Sequence, residues 1–307
     1  MNTVGSLACV GHLTQDDIVI WNGDSYFTTL GGAALYAALG ASIAGAAATV
    51  ISAVGSNASD AEFERLRDYE IAFRTTPYPG RGISQWVLYE EDGSREYRLH
   101  PDSGSLDALA PVPASFPEQL PVNAIHVAPM PLERQADWVS FARQHGLFVS
   151  LDPHHDDSAA RPDEVLALAA EVDLFLPSAL ESRSLTGAGP RESLDELRDL
   201  GIPAVVVKDG EHGCLVASGD DAWHVPAAGD TVFVDPTGAG DSFCGAMLAR
   251  IVAGDRLPDA AARACAAASI VVESIASRLP DSEIARERAQ QRAAALRAEP
   301  LPVPHRL

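Results

Sequence analysis

The chain has a single lysine, Lys208, among 22 lysine and arginine residues that stand against 43 aspartate and glutamate residues, a formal net charge of -21. A chain this short of positive charge has no general basic surface with which to grip nucleic acid or an anionic membrane. Any phosphate it binds must be held locally. Cysteine is also scarce: Cys9, Cys214, Cys244 and Cys265 are scattered without C-x-x-C spacing, which argues against a disulfide framework and a zinc site. No G-x-x-x-x-G-K-[ST] string occurs, and no G-x-G-x-x-G follows the first apolar segment. This removes the common P-loop route to a nucleotide, and a Rossmann dehydrogenase is not expected. The first residues lack the basic n-region of a secretory leader. The longest apolar stretches, 31–54 and 260–272, are rich in alanine and glycine, and Arg263 interrupts the second, so neither reads as a membrane span. A cytoplasmic location is the expectation. No internal repeat is visible.

What is present in quantity is apolar side chain, 47% of 307 residues, enough for a large core in one α/β domain with an appended piece. Apolar runs of strand length at 3–10, 49–54, 124–127, 147–151, 174–176 and 204–207 alternate with helix-length segments at 60–69, 132–145, 162–172 and 192–200. That alternation predicts a largely parallel sheet covered by helices. Proline and glycine clusters at 111–121 and 187–190 read as loops. Two regions break the pattern. Residues 13–30 mix β-branched and aromatic residues around Asn22-Gly23, and residues 83–100 read as two strands joined by Asp92-Gly93, a strong hairpin signal. Together they predict a small β layer outside the main sheet, either a decorated edge or a lid that closes over a substrate and excludes water. Residues 281–299, rich in alanine and arginine, predict a closing surface helix, with a frayed tail at 300–307.

The most informative stretch is Val232-Phe-Val-Asp-Pro-Thr-Gly-Ala-Gly-Asp241-Ser-Phe-Cys-Gly-Ala-Met-Leu-Ala249. Its segment Thr237-Gly238-Ala239-Gly240-Asp241 puts small residues where an apolar strand gives way to a helix. The backbone can turn tightly there and bring N–H groups close to a ligand, while the helix aims its positive end at the same point, so an anion settles there. Asp241, in the first turn, can take a proton from an attacking hydroxyl as a phosphoryl group arrives. A bare Gly-x-Gly-Asp is common in ordinary strand-to-helix connections; the extended string is far less common by chance.

That string resembles the C-terminal signature of the PfkB, or ribokinase-like, family of carbohydrate and nucleoside kinases, and the resemblance extends over most of the chain in the expected order. It implies a ribokinase-like three-layer α/β/α sandwich in one domain over residues 1–307, with a small β-sheet lid from 13–30 and 83–100. It also implies ATP-dependent phosphorylation of a hydroxyl on a sugar, polyol or related small molecule. By this resemblance Asp241 is the general base, and the N–H groups of Ala239, Gly240 and Asp241, after Gly238, form an anion hole for the transferred group. Asp16, five residues after Gly11, orients the acceptor with Gly31 and Gly32, since a carboxylate accepts two hydroxyl hydrogen bonds at once. Asp17 is adjacent, so the assignment can slip by one. Pro177-Ser178-Ala179-Leu180-Glu181 looks like the family's Asn-x-x-Glu segment, which places Glu181 at magnesium, usually through water. Lys208-Asp209-Gly210-Glu211-His212-Gly213 resembles the segment that approaches the nucleotide, with Lys208 either a point charge toward phosphate or an unremarkable hairpin-edge residue. Thr237 and the helix 261–273, with Ala264, Cys265 and Ala268, complete the expected ATP site. Asp152-Pro153-His154 stands where many relatives carry Asp-Pro-Asn after a central strand. His154, His155, Asp156 and Asp157 are neighbours in sequence, which rarely converge on one ion, so a polar loop near the cleft is expected.

Tyr36, Ser178 and Cys265 each stand where the family commonly has asparagine. Tyr36 either stacks on a substrate ring or fills the core. These departures keep two alternatives open: a nucleoside kinase of the same fold, and a catalytically weak sugar- or nucleoside-binding regulatory protein. The intact Gly238–Asp241 run opposes the second, because a binder has no need of Asp241. Arg81, Arg95 and Arg98, in or beside the lid, could hold a phosphate on an already phosphorylated acceptor; a free hydroxyl compound is the expected one. Exposed lid edges make a homodimer plausible, and a monovalent-cation requirement is open. Gly187-Ala188-Gly189, followed by proline and arginine, is no second phosphate loop.

Overall fold

The apolar runs assemble into a ten-stranded sheet. In the computed structural model, which describes residues 6–58, 60–91, 95–116 and 121–302 apart from the Arg95 side chain, the order from one edge is Glu299–Pro300, Asp221–Val225, Cys214–Ser218, Ala204–Lys208, Leu174–Phe175, Phe148–Leu151, Ala124–Val127, Leu7–Val10, Ala48–Val54 and Ile71–Pro77. Every pairing from Ala204–Lys208 to Ile71–Pro77 is parallel, and the remaining three are antiparallel. Strands Leu7–Val10 and Ala124–Val127 are buried throughout, which is why they read as unbroken apolar runs rather than alternating ones. Leu7 and Cys9 face one core with the helices Ala33–Ile43, Ala239–Val252 and Leu257–Val272. Ala8 and Val10 face the other, built around Trp138 of the helix Leu132–Gln144. The layers are helix, sheet, helix.

The second sheet is separate, with the order Ser25–Gly31, Thr14–Ile20, Ile83–Tyr89, Arg95–Leu99. Its two middle strands are parallel and its outer pairs antiparallel. Both expected lid segments are therefore partners in one layer. Asn22 has φ 52° at the first hairpin turn; the Asp92-Gly93 turn lies outside the described residues.

Several boundaries differ from the expected ones for local reasons. The helix expected over 60–69 stops at Arg65 and tightens into a 3₁₀ turn, Arg67–Tyr69. Pro190 opens the helix Pro190–Asp199 instead of closing a loop, because its fixed φ and missing N–H suit a first helical position. The polar loop expected around His154 becomes a short helix, His155–Ala160, with Asp156 and Asp157 in its first turn, where carboxylates suit the dipole. The closing helix is Ser282–Ala295, and it is more than a surface element: Ala285, Ala289 and Arg292 are buried, with Arg292 bonded to Glu273 at 2.6 Å. The tail is not frayed at its start. Glu299 and Pro300 pair with His224 and Trp223, and Leu301 N–H donates to Ala222 O at 2.8 Å; residues 303–307 lie outside the described residues.

The alanine- and glycine-rich helices pack backbone to backbone. A Cβ on Gly40 would stand 1.9 Å from Ser242 O, and one on Gly245 would stand 1.8 Å from Ala37 O. Helices Ala33–Ile43 and Ala239–Val252 can approach this closely only because both contact points lack a side chain. No helix among the described residues is long and apolar enough to cross a membrane.

Candidate active site

The turn before Ala239–Val252 is held from both sides. Asp235, buried, accepts Thr237 N–H on Oδ1 and Ala276 N–H on Oδ2, each at 2.8 Å. Nothing in its sequence context beyond its place ahead of the glycines marks it. Gly238 is the N-cap with φ 74°, and a Cβ there would stand 2.1 Å from the Tyr36 ring. Gly238 O accepts Ser242 N–H at 2.8 Å, starting the helix. Ala239 N–H donates to Pro236 O at 3.2 Å. It is thus already engaged with the turn, and Asp241 N–H bonds its own carboxylate. Among the described residues, Gly240 N–H and Asp241 N–H make no hydrogen bond to a backbone carbonyl. Asp241 is half-buried in this first turn. Burial raises its carboxyl above the ordinary value, the Lys208 charge opposes that rise, and Glu181 adds to it.

Lys208 is not a solvent-facing hairpin residue. Its Nζ lies 2.6 Å from Asp152 Oδ2, with 11% of the side chain exposed. Burial would lower the ammonium, but the charges of Asp152 and Glu181, with the hydrogen bond to Asp152, outweigh burial and hold it above its ordinary value. Burial also pushes the Asp152 carboxyl up to about 7, against the pull of Lys208. Glu181 enters through a capping box: Ser178 Oγ accepts Glu181 N–H at 3.2 Å, and Glu181 Oε2 accepts Ser178 N–H at 2.6 Å. Serine caps a helix as well as asparagine does, which accounts for Ser178. Lys208 N–H donates to Pro177 O at 2.9 Å, so the lysine and the Glu181 cap share one frame.

Across from the turn, Asp16 is 2% exposed and its Oδ1 accepts Gln85 Nε2 at 3.0 Å. A Cβ on Gly31 would stand 2.4 Å from Asp16 Oδ2, so the glycine leaves the carboxylate its space. Asp17 points to the other face of the strand, accepting Thr28 N–H at 2.8 Å and lying 3.3 Å from His100 Nε2. Asp16 is buried and Asp17 only partly so, and the pairing with Ser25–Gly31 shifts register just after Asp16. Burial pushes Asp16 up to about 6. A carboxyl raised in the folded state contributes stability that is full below the unfolded value and is lost as pH rises through about 6. Relative to Asp16→Asn, the wild type should lose about 3 kcal/mol between about pH 4 and pH 7, read from urea unfolding; parallel pH profiles for the two proteins would contradict this.

The lid touches the turn directly. Tyr89 and Tyr97 hydroxyls each lie 3.3 Å from Thr237 Oγ1, contacts that no local sequence signal announces. Arg98, next to Tyr97, therefore lies on the opposite face of its strand, where its guanidinium bonds both oxygens of Glu96 at 2.9 Å. The substrate-binding role expected of Arg98 is not supported by this placement. Arg81 bonds Asp102 at 3.0 Å, and the Arg95 side chain lies outside the described residues. On the far side, Gly210 opens the 3₁₀ turn Gly210–His212 and Gly213 closes it. Cys265 is turned into the core, its Sγ 3.9 Å from that of Cys214, with Ala264 buried and Ala268 half-buried on the same helix. Gly187 caps one helix and Gly189 starts the next.

A parallel sheet ending at a glycine-turned helix start, with a second sheet folded across it, is the ribokinase fold, and solved kinases share it. A candidate ribokinase II of E. coli superposes with TM-score 0.78 at 20% identity, covering 94% of this chain and 99% of that one. The same protein in complex with ATP and Mg+2 gives 0.75 at the same identity and coverage. A nucleoside kinase of Burkholderia thailandensis in complex with inosine gives 0.75 at 18% identity, covering 93% and 97%. The pfkB family carbohydrate kinase profile matches residues 5–284, and the chain belongs to that family. Among curated relatives, a cytidine kinase of Thermococcus kodakarensis is 26% identical over 247 residues, 79% of this chain and 87% of that protein.

Proposed function

We propose that the protein transfers the γ-phosphoryl group of ATP to a hydroxyl of a sugar, a polyol or the sugar moiety of a nucleoside. The observation that carries this is Asp241 in the first turn of Ala239–Val252, beside two N–H groups without backbone partners and with Asp16 on the facing lid sheet. Asp16 and the backbone at Gly31 and Gly32 orient the acceptor. Asp241 takes the hydroxyl proton while the acceptor oxygen bonds the γ-phosphorus and the bond to the ADP oxygen breaks. Gly240 and Asp241 N–H stabilise the charge in transfer. ATP lies toward Gly210, Gly213, Thr237 and Ala268. Glu181 has Oε1 left over from its cap, which suits hydrated magnesium, an ion that needs few protein oxygens and neutralises phosphate charge. The chain is read as one domain with the lid as its β appendage, and Trp21, Phe27 and Leu99, exposed on the lid, suit a homodimer through it.

The nucleoside reading draws on the named cytidine kinase relative and the inosine complex of the B. thailandensis neighbour. Magnesium-dependent ADP release, measured across sugars, polyols, sugar phosphates and nucleosides, tests both. A nucleoside-only response fixes the class; silence across the panel, with ligands still raising Tm, points to the regulatory binder.

Tyr36 is 2% exposed and its hydroxyl has no hydrogen-bond partner among the described residues. Its ring packs against Gly238, beside the acceptor space, so it fills the core and brings a polar atom with it. An unpartnered buried hydroxyl costs about 1–3 kcal/mol. Tyr36→Phe should therefore raise Tm by roughly 2–5 °C and, where the hydroxyl meets the acceptor, raise acceptor KM by about tenfold. A lowered Tm would show that Tyr36 has a partner in the protein.

A further inference from the structure

Beneath the turn lies a cluster of polar side chains that the proposed chemistry leaves unused. His126, Asp152 and Cys244 are buried, and their ligand atoms all lie within 4.8 Å of one another. His126 Nε2 and Asp152 Oδ1 have no hydrogen-bond partner among the described residues. By donor type the three would suit a soft divalent cation. A cation already stands there. Lys208 Nζ is 2.6 Å from Asp152 Oδ2 and 3.4 Å from Cys244 Sγ, and Cys244 Sγ is 3.3 Å from the same Asp152 oxygen. A metal ion would have to share the space with an ammonium and meet its repulsion. Burial, with the Lys208 charge, lowers His126 to about 3, so the ring beside the lysine is neutral. The ammonium also lies 3.7 Å from where a Cβ on Gly240 would stand, one van der Waals contact behind the turn. Two of its three protons are accounted for by Asp152 and Cys244.

We propose that Asp152 and Cys244 are positioning residues that seat the Lys208 ammonium behind the Gly238–Asp241 turn, where its charge stabilises the phosphoryl group during transfer. The proposal rests on the kinase reading above. A charge fixed in a water-poor site needs no reorganisation when the transferred group arrives. Without Asp152, the buried ammonium would lose its counter-ion and either neutralise or leave. A purely structural ion pair would affect stability alone; a positioned charge affects kcat.

Because Lys208 is the only lysine, the intact protein grown on ¹⁵N-lysine gives one ε-ammonium NMR signal. With MgADP plus aluminium fluoride, a mimic of the phosphoryl group in flight, that signal should shift beyond its position with MgADP alone. Asp152→Asn should lower kcat about 10–100-fold with ATP KM changed less than about threefold, and Cys244→Val should lower kcat roughly tenfold while Cys244→Ser, which keeps a polar partner, stays within about threefold. An unmoved signal in a protein whose turnover is lost with Asp241→Asn overturns the positioning and leaves the kinase reading standing. A wild type that turns over no acceptor and shows no shift overturns both. If Asp152→Asn does not fold, the Cys244 pair decides. Stoichiometric Zn2+ binding that displaces the lysine signal would make the cluster a metal site and end the proposal.

Discussion

Asp241→Asn is expected to lower turnover by about 10²-fold or more while the fold and ligand binding persist. Asparagine keeps the size and the helix-terminal position but cannot accept the acceptor's proton. The electrostatics add a sign to the stability side. Burial raises the Asp241 carboxyl, with Lys208 pulling the other way, so its contribution to stability is present at low pH and is lost as pH rises through the raised value. The variant should therefore melt no lower than the wild type near neutral pH. ADP release with the acceptor identified from the panel, run beside thermal unfolding, checks both halves. Retained turnover would remove Asp241 as the base; lost turnover with a lower Tm would mean the aspartate supports the turn.

Gly245→Ala carries the largest expected structural effect, and local propensity predicts its opposite. In a helix interior alanine is favoured over glycine by about 1 kcal/mol. Here the new Cβ would stand 1.8 Å from Ala37 O. The obstacle is backbone, which cannot rotate away as a side chain can. Helices Ala33–Ile43 and Ala239–Val252 would have to separate, and the second carries the Gly238–Asp241 turn at its start. A loss of about 3 kcal/mol or more is expected, a large share of the roughly 5–15 kcal/mol typical of a folded protein. Urea unfolding reads it as a lowered midpoint. An unchanged or raised midpoint would mean that the two helices have room for a methyl group between them.

Much of the architecture is legible in local stretches of the chain. Buried parallel strands such as Leu7–Val10 and Ala124–Val127 write themselves as unbroken apolar runs, and the lid as mixed β segments around Asn22. Ile71–Pro77 is not legible in this way, because an edge strand carrying Arg74, Thr75 and Thr76 has one buried residue to show, Ile71. In the antiparallel edge, Cys214–Ser218 and Asp221–Val225 form a local hairpin across Gly219-Asp220, but the pairing of Asp221–Val225 with Glu299–Pro300 spans more than seventy residues, which no window of sequence contains. In the structure Gly238 is the N-cap and Asp241 the first turn of one helix, and Asp16 is buried in the second sheet, whereas Arg98 is a lid arginine by sequence and a Glu96 partner by strand alternation.

By itself the sequence determined the features set by neighbours along the chain. It placed a helix start at a glycine turn with a carboxylate in its first turn, and small residues along the helices that must pack closely. Periodicity, φ preference and capping are local, so they survive without tertiary context. Only the tertiary structure decided what each side chain meets. It closed the Ala239 donor onto Pro236 and laid Tyr89 and Tyr97 against Thr237. It also drew the lone lysine, 56 positions from Asp152, into an ion pair under the turn. Such contacts join segments whose separation along the chain carries no information about their distance in space. Their energetics depend on burial, which exists only once the layers have closed.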